Sequence, residues 1–233
     1  MTRDERAALS QARANMYRFL GGFYIMEVDE QQLALLKNMT FPVIETSAES
    51  DTDADLDLRE GYELLSGYVA SISKDDLDDL AADYAKVFLA AGDATGRAAF
   101  PYESVYVDKR HQVGGSTEMQ MKALYLERGW EPDPKVYRTM YDHIGLMLEY
   151  MGILCEELTA AFEAEDYENA KALLKEQKTF VKKHLINWVY SFTSDIVKFS
   201  ELDFYKGIAR ITNGFLKKET QLLREGGKPW GIM

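Results

Sequence analysis

Apolar residues recur three and four positions apart along nearly the whole chain, and no stretch alternates apolar with polar over β-branched residues. That pattern predicts helices and no sheet. Leu9, Ala12, Met16, Phe19, Leu20 and Phe23 share one side of a first helix expected over 4–24. A second helix is expected to open at Asp29, where the Asp-x-x-Gln spacing allows a reciprocal cap with Gln32 and Val28 can pack on Leu33; Phe41-Pro42 ends it. From 46 to 57 the residues turn small and acidic, which predicts a mobile surface loop. Helical spacing returns with Leu58, Tyr62, Leu65, Val69 and Ile72. It continues behind a Ser73 cap with Leu77, Leu80, Tyr84, Val87 and Phe88.

Beyond a loop at 91–100, short helices are expected at 104–110 and 116–128, the second stopped by Gly129. Asp133-Pro134 has the form of an N-cap followed by proline at the first helical position, so the longest helix is placed from there to Glu163. Its stripe is Met140, Ile144, Met147, Leu148, Met151, Leu154, Cys155 and Leu158. Asp166 opens the next helix, with Ala170, Leu173, Leu174, Phe180 and Val181 inward and a bend near His184; Trp188, Phe192 and Ile196 continue the pattern. A last helix spans 201–224, and the glycines that follow leave 226–233 as a flexible tail. No fixed repeat emerges. The expectation is an all-α fold, one irregular bundle of about nine to ten helices forming a single domain over 1–233.

A chain of 233 residues buries a real core without staples, and Cys155, its single cysteine, excludes an intrachain disulfide and a multi-thiolate zinc site. The first residues lead into an amphipathic run rather than a secretory signal, and no apolar stretch reaches membrane-spanning length, so a cytoplasmic protein without stable membrane insertion is expected. A net charge of −12 argues against a nucleic-acid surface and is compatible with a cationic partner or with solubility alone.

Enzyme motifs are missing. No histidine has a glutamate three residues before it, which a di-iron bundle needs; Asp108 and His111 form the only acidic analogue. The zincin, P-loop, dinucleotide and nucleophile-elbow patterns are also absent, so no metal, no cofactor and no catalytic residue are assigned. Asp142-His143 is the one adjacent acid and imidazole. Neighbouring helical residues point about 100° apart and do not face each other as a dyad. The pair therefore reads as a satisfied core-edge histidine with a pairing or capping aspartate, or as a peptide contact, with a small hydrolase as the weakest reading.

Asp142, Gly145, Glu149 and Gly152 recur as one stripe in which carboxylates alternate with glycines. Either another helix crosses closely there, or an incoming arginine lies in the stripe on a carboxylate. The ten methionines suit adaptable binding surfaces but fall mostly at core spacing, so core filling is expected.

Four segments in order carry a resemblance: Tyr84-x-x-Val87-Phe88-Leu89; Phe100-Pro101-Tyr102-Glu103-Ser104-Val105-Tyr106; Asp142-His143 with Leu148-Glu149-Tyr150-Met151; and His184-Leu185-x-x-Trp188-x-x-x-Phe192. Together they resemble the TorD/DmsD/NarJ-type family of cytoplasmic redox-enzyme maturation chaperones. The resemblance implies an all-helical, non-enzymatic protein that holds the apo catalytic subunit of a molybdenum oxidoreductase until molybdopterin is inserted. In many members it also implies binding of that subunit's twin-arginine leader before export. Members occur as monomers and as homodimers. On this basis Tyr84, Phe88, Pro101, Tyr102 and Tyr106 are assigned to apolar peptide contact, Glu103, Asp142 and Glu149 to arginine, and His143 to orientation. The family often carries proline and acidic residues just ahead of Asp-His, where this chain has Arg138-Thr139-Met140-Tyr141. The family also has a hinge-like loop at Asp-His, which cannot coexist with a helix opening at Pro134. An all-α adaptor for some other protein is the alternative function.

Overall fold

A computed structural model describes residues 1–45, 52–92, 94, 96–224 and 230–232. Ten α-helices and no strand occur among them, so the chain is all-α as its periodicity requires. The helices are α1 (Arg3–Ile25), α2 (Glu30–Asn38), α3 (Asp53–Ser71), α4 (Leu77–Leu89), α5 (Glu103–Val107), α6 (Ser116–Glu127), α7 (Ile144–Glu163), α8 (Tyr167–Phe180), α9 (Val189–Phe199) and α10 (Asp203–Arg224). A 3-10 turn at Lys74–Asp76 precedes α4, and a π-helical turn at Val181–Leu185 follows α8. No helix among the described residues is long and apolar enough to cross a membrane. The contacts divide the chain into two compact units, one of Met1–Ile25, Tyr102–Trp188 and Glu219–Met233, the other of Met26–Pro101 and Val189–Lys218.

In the first unit α1 packs along α7. The close approach is made by glycines: a Cβ on Gly145 would lie 3.1 Å from the Gly21 carbonyl oxygen and 2.4 Å from Ile25 Cγ1. Of the two readings of the carboxylate–glycine stripe, the close crossing is therefore the one realised. The buried face of α1 runs through Ala7, Ser10, Arg13, Ala14, Tyr17, Leu20, Gly21, Phe23 and Tyr24. This face is rotated from the expected one: Ala12 is exposed, and Leu9, Met16 and Phe19 are half-buried.

The rotation buries Arg13. Its Nε and Nη2 each donate to Glu219 at 2.7 Å, Nη2 also reaches Gln177 Oε1 at 2.8 Å, and Tyr17 OH donates to Glu219 at 2.6 Å. Burial opposes the charged form, yet with Glu219 opposite it the Arg13 pKa is raised. Trp230 lies under this guanidinium, 5.5 Å from ring to cation, and stacks on Phe162 at 5.3 Å. The expected flexible tail is thus corrected at Trp230, which is fully buried, and at Ile232, which is 7% exposed. The rest of it, 226–229 and 233, lies outside the described residues.

The second unit joins α2, α3, α4, α9 and the part of α10 up to Lys218. Gly61 and Gly207 set the α3–α10 crossing: a Cβ on Gly207 would sit 2.9 Å from both the Gly61 oxygen and the Leu65 nitrogen. Asp83 of α4 accepts from Ser200 OH at 2.7 Å and from the Glu201 amide at 2.9 Å, which ties α4 to the turn that opens α10.

Asp29 and Gln32 form the expected reciprocal cap, Val28 and Leu33 are buried beside it, and Asp166 caps α8. The acidic loop expected at 46–57 falls partly on 46–51, outside the described residues. Its remainder is helical, because Thr52 and Asp55 make a capping box and the acidic residues after it suit a helix N-terminus. The helix expected from Pro134 begins ten residues late, at Ile144. Asp133 does start a turn, accepting from the Val136 and Tyr137 amides, but the chain then turns away and enters an extended pairing with Tyr102. Methionine as core filler is corrected too. Met121, Met147 and Met151 are buried, whereas Met1, Met26, Met39, Met119 and Met140 are exposed.

Candidate functional site

Three of the four motif segments meet in the first unit. Tyr102 and His143 form an isolated antiparallel bridge, and the Glu103 amide donates to the Asp142 carbonyl at 3.1 Å. Tyr102 supplies no side-chain cap to α5, and Asp142 replaces it, its Oδ2 accepting from the Ser104 amide at 2.9 Å. Asp142 is fully buried, and its Oδ1 has no hydrogen-bond partner.

His143 caps α7. Its Nδ1 accepts from the Gly145 amide at 3.0 Å, which places the proton of the neutral ring on Nε2. Burial pushes its pKa down to about 3. The Tyr102 ring meets it edge-on at 5.1 Å, and Tyr102 OH lies 3.0 Å from Thr139 Oγ1. Asp142 and His143 therefore serve two different helix starts. They do not form an acid–base dyad, and they sit at a loop-to-helix junction as the family resemblance implied.

Glu103 is 2% exposed and holds two partners from the fourth segment, His184 Nδ1 at 3.1 Å and Asn187 Nδ2 at 3.1 Å. The π-helical turn brings His184 and Asn187 to the same carboxylate. Trp188 Nε1 donates back to the His184 carbonyl at 2.7 Å, and its ring stacks on Tyr106 at 5.4 Å. His184 and Asn187 had no assigned role in the sequence. The legible signal was the His-x-x-x-Trp spacing, one helical turn, on which that tryptophan–carbonyl bond depends.

Glu149 is already occupied. Arg18 of α1 places Nε 3.0 Å from Glu149 Oε1, and its other nitrogens engage Glu156. These carboxylate bonds raise the pKa of Arg18, the Glu156 bond most.

Tyr84 and Phe88 belong to the second unit. They pack 4.9 Å apart and join a core cluster with Tyr205, while Phe88 reaches Phe192, the end of the fourth motif, at 6.1 Å. Pro101 is buried in that unit as well. Burial removes the direct contact surface expected of Tyr84, Phe88, Pro101, Glu103, Asp142 and His143. Only Tyr102, Tyr106 and Glu149 are half-exposed.

Two of the cavities among the described residues open on the first unit. The larger, ≈ 790 Å³, follows the loop from Val107 to Ser116 and involves none of the motif residues assigned to peptide contact; Asp108 there is engaged by Ser116 and Thr117. The smaller, ≈ 350 Å³, has Leu124, Tyr150 and Phe180 in its lining together with His184.

The profile of the family described as nitrate reductase delta subunit matches residues 51–194, more than half of the chain. The chain belongs to that family. Relatives that are similar over nearly the full length carry the name chaperone protein TorD. The one from Vibrio cholerae is 24% identical over 222 residues, 95% of this chain and 96% of that protein. That of Shewanella pealeana is 25% identical over 224 residues, 92% and 91% of the two chains. A shorter match, 28% over 145 residues, comes from Photobacterium profundum. The resemblance to TorD-type maturation chaperones, carried in the sequence by four short segments, thus extends over most of the chain.

Proposed function

We propose that this member of the nitrate reductase delta subunit family is a cytoplasmic chaperone. It binds the apo catalytic subunit of a molybdenum oxidoreductase, together with the twin-arginine leader of that subunit. It holds the subunit for molybdopterin insertion before export, acts by binding alone, and carries no cofactor of its own. The observation that carries this reading is the convergence of Tyr102–Tyr106, Asp142-His143 and His184–Trp188 on one framework with no acid–base dyad in it.

Glu103, Asp142 and His143 act beneath the surface, fixing the starts of α5 and α7 and the π-helical turn. Tyr102, Tyr106 and Glu149 meet the client. The acidic character of the chain, −12 overall, complements a cationic leader head. Tyr84, Phe88 and Pro101 support the second unit from its interior.

The test is purification of the tagged chain from its native cells, with and without molybdopterin synthesis. A molybdoenzyme catalytic subunit that copurifies, and does so more when cofactor is lacking, fits a maturation chaperone. An unrelated protein in its place would assign the chain to the adaptor class.

A further inference from the structure

The ≈ 350 Å³ pocket of the first unit is built on helices and carries chemistry that the leader-binding reading does not use. Its floor is aromatic: Tyr150, 1% exposed, and Phe180, 2% exposed, pack 5.0 Å apart, and Phe180 lies 5.4 Å from the His184 ring. Glu103 fixes that ring through Nδ1, and the side chain of His184 is 14% exposed. The one carboxylate in the lining, Glu176, accepts from Tyr150 OH at 2.7 Å and faces Arg128 at 3.3 Å, so its charge is compensated within the protein. Lys175 and Lys183 also belong to the lining, are exposed, and have no ion-pair partner among the described residues.

Two uncompensated ammonium groups beside an apolar floor, in a chain of net charge −12, form a local reversal of sign. The volume lies near the lower end of ligand pockets, roughly 300–1,000 Å³, which suits one large side chain rather than a helix. A twin-arginine head would be repelled here; a carboxylate beside an aromatic or large aliphatic residue would be held at both ends.

We infer that this pocket takes one bulky apolar side chain of the client polypeptide whose neighbouring residue is acidic, a segment of the mature subunit and not of its leader. This rests on the reading that the chain holds a client.

The test has two arms on the full chain. In the first, nuclear magnetic resonance follows the amide signals of Ala172, Thr179 and His184 during addition of acetyl-Gly-Phe-Glu-Gly-amide or its Lys counterpart. The acidic peptide is expected to shift them and the basic one not to. In the second, calorimetry compares leaderless apo subunit and isolated leader peptide as titrants of the wild type, of Lys175→Glu with Lys183→Glu, and of Ala172→Trp, which fills the pocket from an exposed helix position.

The expected result is a loss of about tenfold or more for the leaderless subunit in both variants, with leader affinity held or raised. Equal response to the two peptides, or unchanged subunit affinity in both variants, overturns the pocket assignment and leaves the chaperone reading standing. A wild type that binds the acidic peptide at this pocket but no apo subunit overturns the chaperone reading instead.

Discussion

Arg18 Nε lies 3.0 Å from Glu149 Oε1, with the arginine stem against Gly152, so the stripe of α7 that could receive a foreign arginine already holds one from α1. A Cβ on Gly152 would come 3.2 Å from Arg18 Cγ, so the glycine leaves room for this arginine stem. A leader arginine that uses Glu149 has to displace this side chain. Arg18→Ala is therefore expected to raise leader affinity, read by calorimetry. Its cost in stability should be about 1 kcal/mol or less, because Arg18 and Glu156 are about a third or more exposed. Weaker leader binding in the variant would remove Glu149 from the contact set.

Asp142 caps α5 through Ser104, and one of its oxygens is unpartnered. Asn keeps an acceptor for that amide and sheds a buried charge, whereas Ala removes the cap. Urea unfolding should show Asp142→Ala destabilised by about 1–2 kcal/mol and Asp142→Asn close to wild type. Equal losses in the two variants would mean that the charge, not the cap, matters.

His143 makes stability depend on pH. Its folded pKa is about 3 against an ordinary value of 6.5, so between these limits the unfolded chain binds the extra proton. Stability is complete above pH 6.5 and drains as pH falls toward 3, with a slope approaching about 1.4 kcal/mol per pH unit from this group. His143→Asn keeps a capping acceptor for the Gly145 amide without a titrating ring. Its unfolding free energy should fall less steeply over that window, and parallel curves for the two proteins would contradict the assignment.

Gly207 and Gly67 should respond to alanine with opposite signs. At Gly207 the new Cβ meets backbone at 2.9 Å and the α3–α10 crossing must open, a loss of about 1–3 kcal/mol or more. At Gly67, exposed within α3 with nothing within 4 Å, alanine gains about 0.5–1 kcal/mol through helix propensity and a less disordered unfolded state. Chemical denaturation of the two variants measures both.

Local chemistry was legible where its partners are near in sequence. The Asp29–Gln32 box, the Asp166 cap and the left-handed stop at Gly129, with φ 76°, are each decided within a few residues. The start of α7 was not, because Asp133-Pro134 satisfies a helix-start rule for a single turn, while the pairing of His143 with Tyr102 that takes over is long-range. Arg13 and Tyr17 look like a polar face until Glu219 is placed opposite them, and Trp230 looks like a tail until Phe162 is beneath it. The motif residues were found, but as contacts. Their burial became visible only once Ser104, Gly145, His184 and Asn187 were seen to use up most of their polar atoms.

The central claim concerns an unfinished client. Calorimetric titration of the chain with a molybdoenzyme catalytic subunit from its own organism, prepared once without and once with its molybdopterin cofactor, tests that claim most directly. Saturable one-to-one binding of the apo form, lost or weakened at least tenfold in the loaded form, is the expected result. Equal affinity for both forms, or no heat from either, would contradict it.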